Sequence, residues 1–217
     1  SIMITIKCFT FNDFQENTYV LHDETLEAVV IDPGCSNARE EKILLDYIAT
    51  QNLKVVRLLN THCHIDHIFG NNLIHTRYNV KLEVHENEVQ LLAFLKPMCA
   101  QWNIPEPIQP EAHTTLKHGG EIVFGDNNKL EIIFAPGHSP GSVCFYCPAE
   151  HFIISGDVLF RESIGRTDLP KGNHKDLLKS IRENLLTLPK DTVVYSGHGE
   201  PTTIGHEKEN NPFLINF

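Results

Sequence analysis

The sequence predicts an α/β protein of two packed β-sheets covered by helices, and three observations predict it. Short strand-like runs dominate both halves, each half adds a few amphipathic helices, and each half ends a strand in a histidine-bearing loop. Strands with one apolar face and helices with one apolar stripe bury those surfaces by packing in layers. Histidines with shared chemistry lie in both halves, so a single domain over residues 1–217 is expected.

The elements follow in order. Strand patterns cover Ile2–Phe9, Thr18–His22 and Ala28–Asp32, and the last runs into the turn signal Asp32-Pro33-Gly34. Glu40–Ala49 carries Ile43, Leu44, Tyr47 and Ile48 at helical spacing. Val55–Leu59 reads as a short buried strand that delivers the chain to Thr61-His62-Cys63-His64-Ile65-Asp66-His67. A helix is expected from about Asp66 through Ile74, then a strand at Val80–Val84 and a helix at Glu86–Leu95. Pro97 to Pro110 holds four prolines and reads as a surface connection. Strands are expected at Glu121–Phe124, Leu130–Phe134, Val143–Tyr146 and Phe152–Ser155, followed by a loop from Asp157 to Asn173. Leu177, Leu178, Ile181 and Leu185 then mark a helix over His174–Leu186, and the strand Val193–Tyr195 runs into Ser196-Gly197-His198-Gly199.

Composition narrows the function. Apolar residues make up 41% of the chain, and the formal charge is −10. That charge repels phosphate backbones and anionic lipid surfaces, so neither nucleic acid nor membrane is an expected partner. No apolar run approaches the ~20 residues of a spanning helix. The first residues lack the basic-then-apolar layout of a secretory signal, which gives a cytoplasmic expectation. The six cysteines are scattered and read as reduced thiols, mostly in the core. Cys144 and Cys147 form a C-x-x-C on a strand, where residues three apart face opposite sides.

His62-x-His64-x-Asp66-His67 carries the chemistry. Imidazole and carboxylate donors suit zinc, iron and manganese. In an extended segment His62 and His64 project to one side and can share an ion, while Asp66 and His67, one turn onward, can face a second. Four ligands from one loop do not complete two sites. His138 in Pro136-Gly137-His138-Ser139-Pro140-Gly141, Asp157 in Ser155-Gly156-Asp157, and His198 in Gly197-His198-Gly199 are the candidates for the remainder. Cys63 lies between two ligands but reads as packing, and the other histidines lack comparable surroundings.

These residues, in this order, resemble the full metal-binding set of the metallo-β-lactamase superfamily. The likeness runs from Asn17-Thr18-Tyr19-Val20 and Ile31-Asp32-Pro33-Gly34 nearly to the end of the chain. It implies a four-layer αββα sandwich with the site at one edge. His62, His64 and His138 would bind one metal, Asp66, His67 and His198 the other, and Asp157 both, with Asp32 bracing the ligand loop. Two divalent ions are implied, zinc first, with iron or manganese as alternatives.

Departures from the pattern narrow the choice further. β-Lactamases with this first motif place cysteine where Asp157 stands, flavodiiron proteins place glutamate at His64, and quorum-signal lactonases have a tyrosine in a span where this chain, from Val158 to Val194, has none. Two relatives that act on glutathione-linked sulfur remain. The resemblance to short bacterial glyoxalase II-like proteins rests on Gly197-His198-Gly199-Glu200-Pro201-Thr202-Thr203-Ile204-Gly205 and Asn210-Asn211-Pro212-Phe213. It implies hydrolysis of a thioester such as S-D-lactoylglutathione by a hydroxide held between the metals, with Asp66 and Asp157 orienting it. The alternatives are a persulfide dioxygenase with one iron and a metal-binding protein without hydrolase activity. The C-terminal helical domain that binds glutathione in the longer enzymes is not expected here, so Arg161, Arg166 and Lys171 are the candidate substrate contacts. A monomer or weak homo-oligomer acting on a small thioester is the expectation.

Overall fold

The computed structural model describes residues 3–215. They divide into two compact units. The first holds the chain through Thr115 together with Val123–Asn128, and the second holds Leu116–Ile122 and the chain from Lys129 onward.

The first unit is built on a six-stranded mixed sheet: β1 (Thr5–Phe11), β2 (Glu16–His22), β3 (Glu27–Ile31), β4 (Lys54–Leu59), β5 (Leu82–Glu83) and β6 (Ala112–His113), hydrogen-bonded in that order. β1, β2 and β3 run antiparallel as a meander, whereas β3 to β6 run parallel. Parallel neighbours need crossovers, and helices supply them. α1 (Ala38–Thr50) joins β3 to β4 and α2 (Asn71–Tyr78) joins β4 to β5. α3 (Val89–Ala93) and α4 (Leu95–Gln101) precede β6. The side chain of Asn37 caps α1 by accepting from the Glu40 amide at 2.9 Å. Leu44 and Ile48 of α1 pack with Val30, Leu58, Ile68, Ile74 and Leu82 in the core, while Ile43 is left exposed.

The second unit carries β7 (Glu121–Phe124), β8 (Asn128–Phe134), β9 (Val143–Cys147), β10 (Phe152–Gly156), β13 (Val193–Ser196) and β14 (Thr202–Thr203), in the order β14-β13-β10-β9-β8-β7. The tip of the β7–β8 hairpin belongs to the first unit, where the Asp23 carboxylate accepts from the Asp126 amide at 2.8 Å and the Asn128 side chain at 2.7 Å. A small hairpin of β11 (Leu159–Phe160) and β12 (Ser163–Ile164) fills part of the stretch expected to be loop. α5 (His174–Ser180) and α6 (Ile204–Asn210) complete the unit. Cys144, Ile153, Leu177, Ile181, Leu185, Val194 and Ile204 form its core.

Several boundaries differ from expectation. The first strand was expected from Ile2, which lies outside the described residues, and it begins at Thr5. The helix expected from Asp66 to Ile74 is two pieces: a single 3-10 turn over Ile65–His67, then α2. The connection expected to start at Pro97 is helical through Gln101, because Pro97 falls in the first turn of α4, where its missing N–H costs nothing. The helix expected over His174–Leu186 widens after Ser180 into a π-helical turn, with the Leu186 amide reaching the Ile181 carbonyl at 2.8 Å. Cys144 and Cys147 are both free and buried. No helix among the described residues is long and apolar enough to cross a membrane.

The Gly137 turn is locked against α5. Gly137 has φ +140°, and a Cβ built there would lie 2.3 Å from the Leu177 backbone. Gly137→Ala should therefore lower stability by about 2–4 kcal/mol. Urea denaturation followed by circular dichroism would show this as a fall in midpoint; an unchanged midpoint would mean that the turn can move off the helix.

Candidate metal centre

In the first unit the site grows from the C-terminal ends of two adjacent parallel strands, β3 and β4. Where β3 ends, Asp32 adopts φ +52°, a left-handed conformation that aspartate tolerates better than most residues. Its backbone N–H donates to the Leu59 carbonyl at 3.0 Å, stitching the two strand ends together. Its carboxylate then accepts from the Thr61 amide at 2.7 Å, from the Thr61 hydroxyl at 2.6 Å, and from His67 Nδ1 at 2.9 Å. With its proton given to Asp32, the Thr61 hydroxyl is left to accept from His62 Nδ1 at 3.0 Å. Both imidazoles thus carry their proton on Nδ1 and turn a lone pair outward on Nε2, as metal-binding histidines do.

His62 and His64 place their ligand atoms within 4.8 Å of one another, and so do Asp66 and His67. Asp66 Oδ2 approaches His67 Nε2 to 3.3 Å. Asp32, His62 and His67 also meet that spacing. Both Asp32 oxygens already accept hydrogen bonds, an arrangement suited to bracing the candidate ligands.

The surroundings hold the loop to this shape. Glu88 accepts from the Cys63 amide at 2.7 Å, and Cys63 itself packs in the core as expected. Asn60 and Asn71 exchange side-chain hydrogen bonds at 3.0 and 2.8 Å, fixing the start of α2 to the loop. The side-chain Nδ2 of Asn12 donates to the carbonyls of Gly34 and Asp66, each at 2.9 Å. Position 34 must be glycine, because a Cβ there would lie 2.1 Å from Glu16 Oε2 and 2.6 Å from the Asp66 carbonyl. Glu16 is fully buried with Oε1 3.6 Å from His67 Nδ1. Burial pushes its carboxyl well above the usual range, and the neighbouring His67 opposes this only in part.

The second unit gathers its own donors. Asp157 follows β10 and His198 follows β13, two adjacent parallel strands, and the Gly197 amide donates to the Gly156 carbonyl at 2.8 Å. His138 stands in the turn after β8, and its Nδ1 donates to the Arg166 carbonyl at 2.8 Å, which again leaves Nε2 outward. Asp157 Oδ2 lies 3.5 Å from His138 Nε2 and 3.4 Å from His198 Nε2, so two imidazoles and a carboxylate oxygen converge on one point. Beside them is a pocket of about 450 Å³ lined by His138, Asp157, His198, Phe160, Arg161 and Arg166 among others. Arg166 pairs bidentately with Asp168 at 2.7 and 2.8 Å, and this pairing holds the Asp168 carboxyl down at about 2. Lys171 is exposed and is not among the residues that line the pocket.

The donor chemistry fits a divalent metal: His62, His67 and His138 each have Nδ1 engaged and Nε2 presented, and the carboxylates of Asp66 and Asp157 lie beside imidazoles. Glu16, Thr61, Glu88, Asn60 and Asn71 were not picked out from the sequence. Glu16 carries a signal, as part of the polar run Glu16-Asn17-Thr18 at the head of the fully buried β2; the other four lie in loops, polar turns or a helix start whose sequence does not distinguish them. Asp32→Ala should lower metal affinity by about 10–100-fold while leaving the fold intact. Competition against a chromogenic chelator would measure it, and unchanged affinity would remove Asp32 from its bracing role.

Comparison with known proteins agrees with this chemistry. Residues 11–198 match the family described as the metallo-beta-lactamase superfamily. The chain is 34% identical to the hydroxyacylglutathione hydrolase GloC of Haemophilus influenzae over 97% of this chain and 98% of that one. Among solved structures it resembles the B3 metallo-beta-lactamase BLEG-1 with a TM-score of 0.89 and 36% identity, covering 98% of this chain and all of that one, 100%. It also resembles TTHA1623 in a di-iron-bound form, with a TM-score of 0.84 and 34% identity over 96% of this chain and 100% of that one. The chain belongs to the metallo-β-lactamase superfamily and has its fold.

Proposed function

We propose that the two units act as one catalytic domain, in which His62, His64 and His138 hold one divalent metal and Asp66, His67 and His198 a second, with Asp157 serving both. The observation that carries this reading is the shared arrangement of Nδ1 bonded and Nε2 presented at His62, His67 and His138. A di-iron relative supports two metals, and the donor set suits zinc or manganese equally.

The reaction proposed is hydrolysis of a glutathione-linked thioester, S-D-lactoylglutathione being the first candidate; the likeness to GloC supports it. Two divalent ions, when bound, supply Lewis acidity and a nucleophile at neutral pH. The chain's own residues do the rest. Asp66 and Asp157 orient the attacking water and take part in moving its proton. Phe160 offers an apolar wall to the acyl group, and Arg161 offers a cation to a substrate carboxylate. Oxygen from water bonds to the carbonyl carbon, the C–S bond breaks, and the thiolate leaves with little need of a proton because thiol pKa values lie near ~8.5. Arg166 is a weaker candidate than Arg161 for substrate contact, since Asp168 already occupies its guanidinium.

Zinc-loaded protein should turn over S-D-lactoylglutathione, with chelator-stripped protein slower by at least about 10²–10³-fold. His64→Ala should lose bound metal and activity together; a metal-loaded, fully active variant would overturn the assignment. Arg161→Ala should raise KM by about tenfold with kcat little changed, the cost of one charge-assisted contact. A chromogenic cephalosporin and, for iron-loaded protein, glutathione persulfide with dioxygen belong on the same panel. Turnover of either without thioester hydrolysis would replace the thioester reading while leaving the metal centre standing.

A further inference from the structure

A second cleft, of about 850 Å³, lies entirely within the first unit. The β1–β2 turn, the start of α1, one face of α2 and the segment after α4 form its walls. Its volume falls in the range of small-molecule sites.

Two features of the lining are unusual together. Phe14 and Trp102, with ring centroids 6.1 Å apart, both line it and remain 41% and 39% exposed, so aromatic surface is open to a ligand there. The charged lining residues are Asp13, Glu41 and Glu106, and no Lys, Arg or His lines the cleft. Glu41 has a local reason to be acidic, since it sits in the first turn of α1 where the helix dipole favours a carboxylate. That reason does not extend to Asp13 or Glu106, which face the same space from a turn and a loop.

We propose that this cleft binds a small organic ammonium ion. Its apolar part packs on Phe14 and Trp102, and its cationic head is drawn by the carboxylates of Asp13, Glu41 and Glu106, which line the same cleft. Aromatic faces attract cations through the ring quadrupole, and a group of like carboxylates gains most from a positive ligand. The overall charge of −10 adds to the same preference. An anionic or neutral apolar guest would leave the carboxylates unanswered. Asn12 also lines the cleft, and its side-chain Nδ2 donates to the Asp66 carbonyl, so an occupant would sit one side chain away from the loop that carries the proposed ligands. The proposal stands apart from the thioesterase reading, and either can fail alone.

Trp102 is the one tryptophan of the chain, so intrinsic fluorescence reports on this cleft directly. Metal-loaded protein would be titrated at neutral pH with 2-phenylethylammonium and, as a neutral counterpart of similar shape, with 2-phenylethanol. A saturable change is expected with the amine, weaker by at least about tenfold with the alcohol and in the double variant Glu41→Gln/Glu106→Gln. Because Glu41→Gln also touches α1, a salt series on the unaltered protein provides an independent arm. Amine affinity should fall several-fold between about 0.05 and 0.5 M NaCl as the carboxylates are screened. No saturable response, equal affinity for the alcohol, or indifference to salt would each overturn the proposal.

Discussion

Asp32 ties two strand ends together through its backbone N–H and positions two imidazoles through its carboxylate. It receives the Thr61 amide, the Thr61 hydroxyl and His67 Nδ1, and through the Thr61 hydroxyl it also decides where His62 keeps its proton. Charge-assisted hydrogen bonds of this kind are roughly twice as strong as neutral ones, which is enough to hold Asp32 at φ +52° despite the local steric cost. Without that carboxylate the ligand loop would still leave β4, but nothing would orient its rings. Gly34 belongs to the same constraint, because the backbone two residues on must pass within contact of Glu16 and Asp66.

The second unit solves the same problem with different parts. His138 is oriented by a backbone carbonyl, that of Arg166, rather than by a carboxylate. In both units the chemistry stands at the C-terminal ends of neighbouring parallel strands, β3 with β4 and β10 with β13. Parallel neighbours end side by side and release their loops in the same direction, so residues far apart in sequence meet without further construction. Asp157 and His198 meet in this way, with 3.4 Å between their donor atoms.

Local pattern was misleading where tertiary contacts interrupted it. The helix expected across Asp66 and Ile74 breaks because the chain first makes one tight turn over Ile65–His67, and Gly70 then donates to the Pro33 carbonyl at 2.8 Å. Pro97 looked like a terminator, yet a proline in the first turn of a helix sacrifices no hydrogen bond. β6 and β14, two residues each, carry no periodicity of their own and exist only because a neighbouring strand is there to pair with them. Lys171 was grouped with Arg161 and Arg166 by nearness in sequence, but the positions on that loop turn to different surroundings.

Two mixed sheets with helices and the superfamily were legible in the sequence, because apolar periodicity reports burial; the proposed ligand set was also drawn from sequence, since few environments other than a metal site bring His-x-His-x-Asp-His together. The Nδ1 partners of His62, His67 and His138, the bracing by Thr61, Glu88, Asn60 and Asn71, and the buried carboxyl of Glu16 were decided only by tertiary structure. The physical reason is directional: a hydrogen bond depends on where two groups point, and these partners come from strands and helices whose mutual placement no local window of sequence contains.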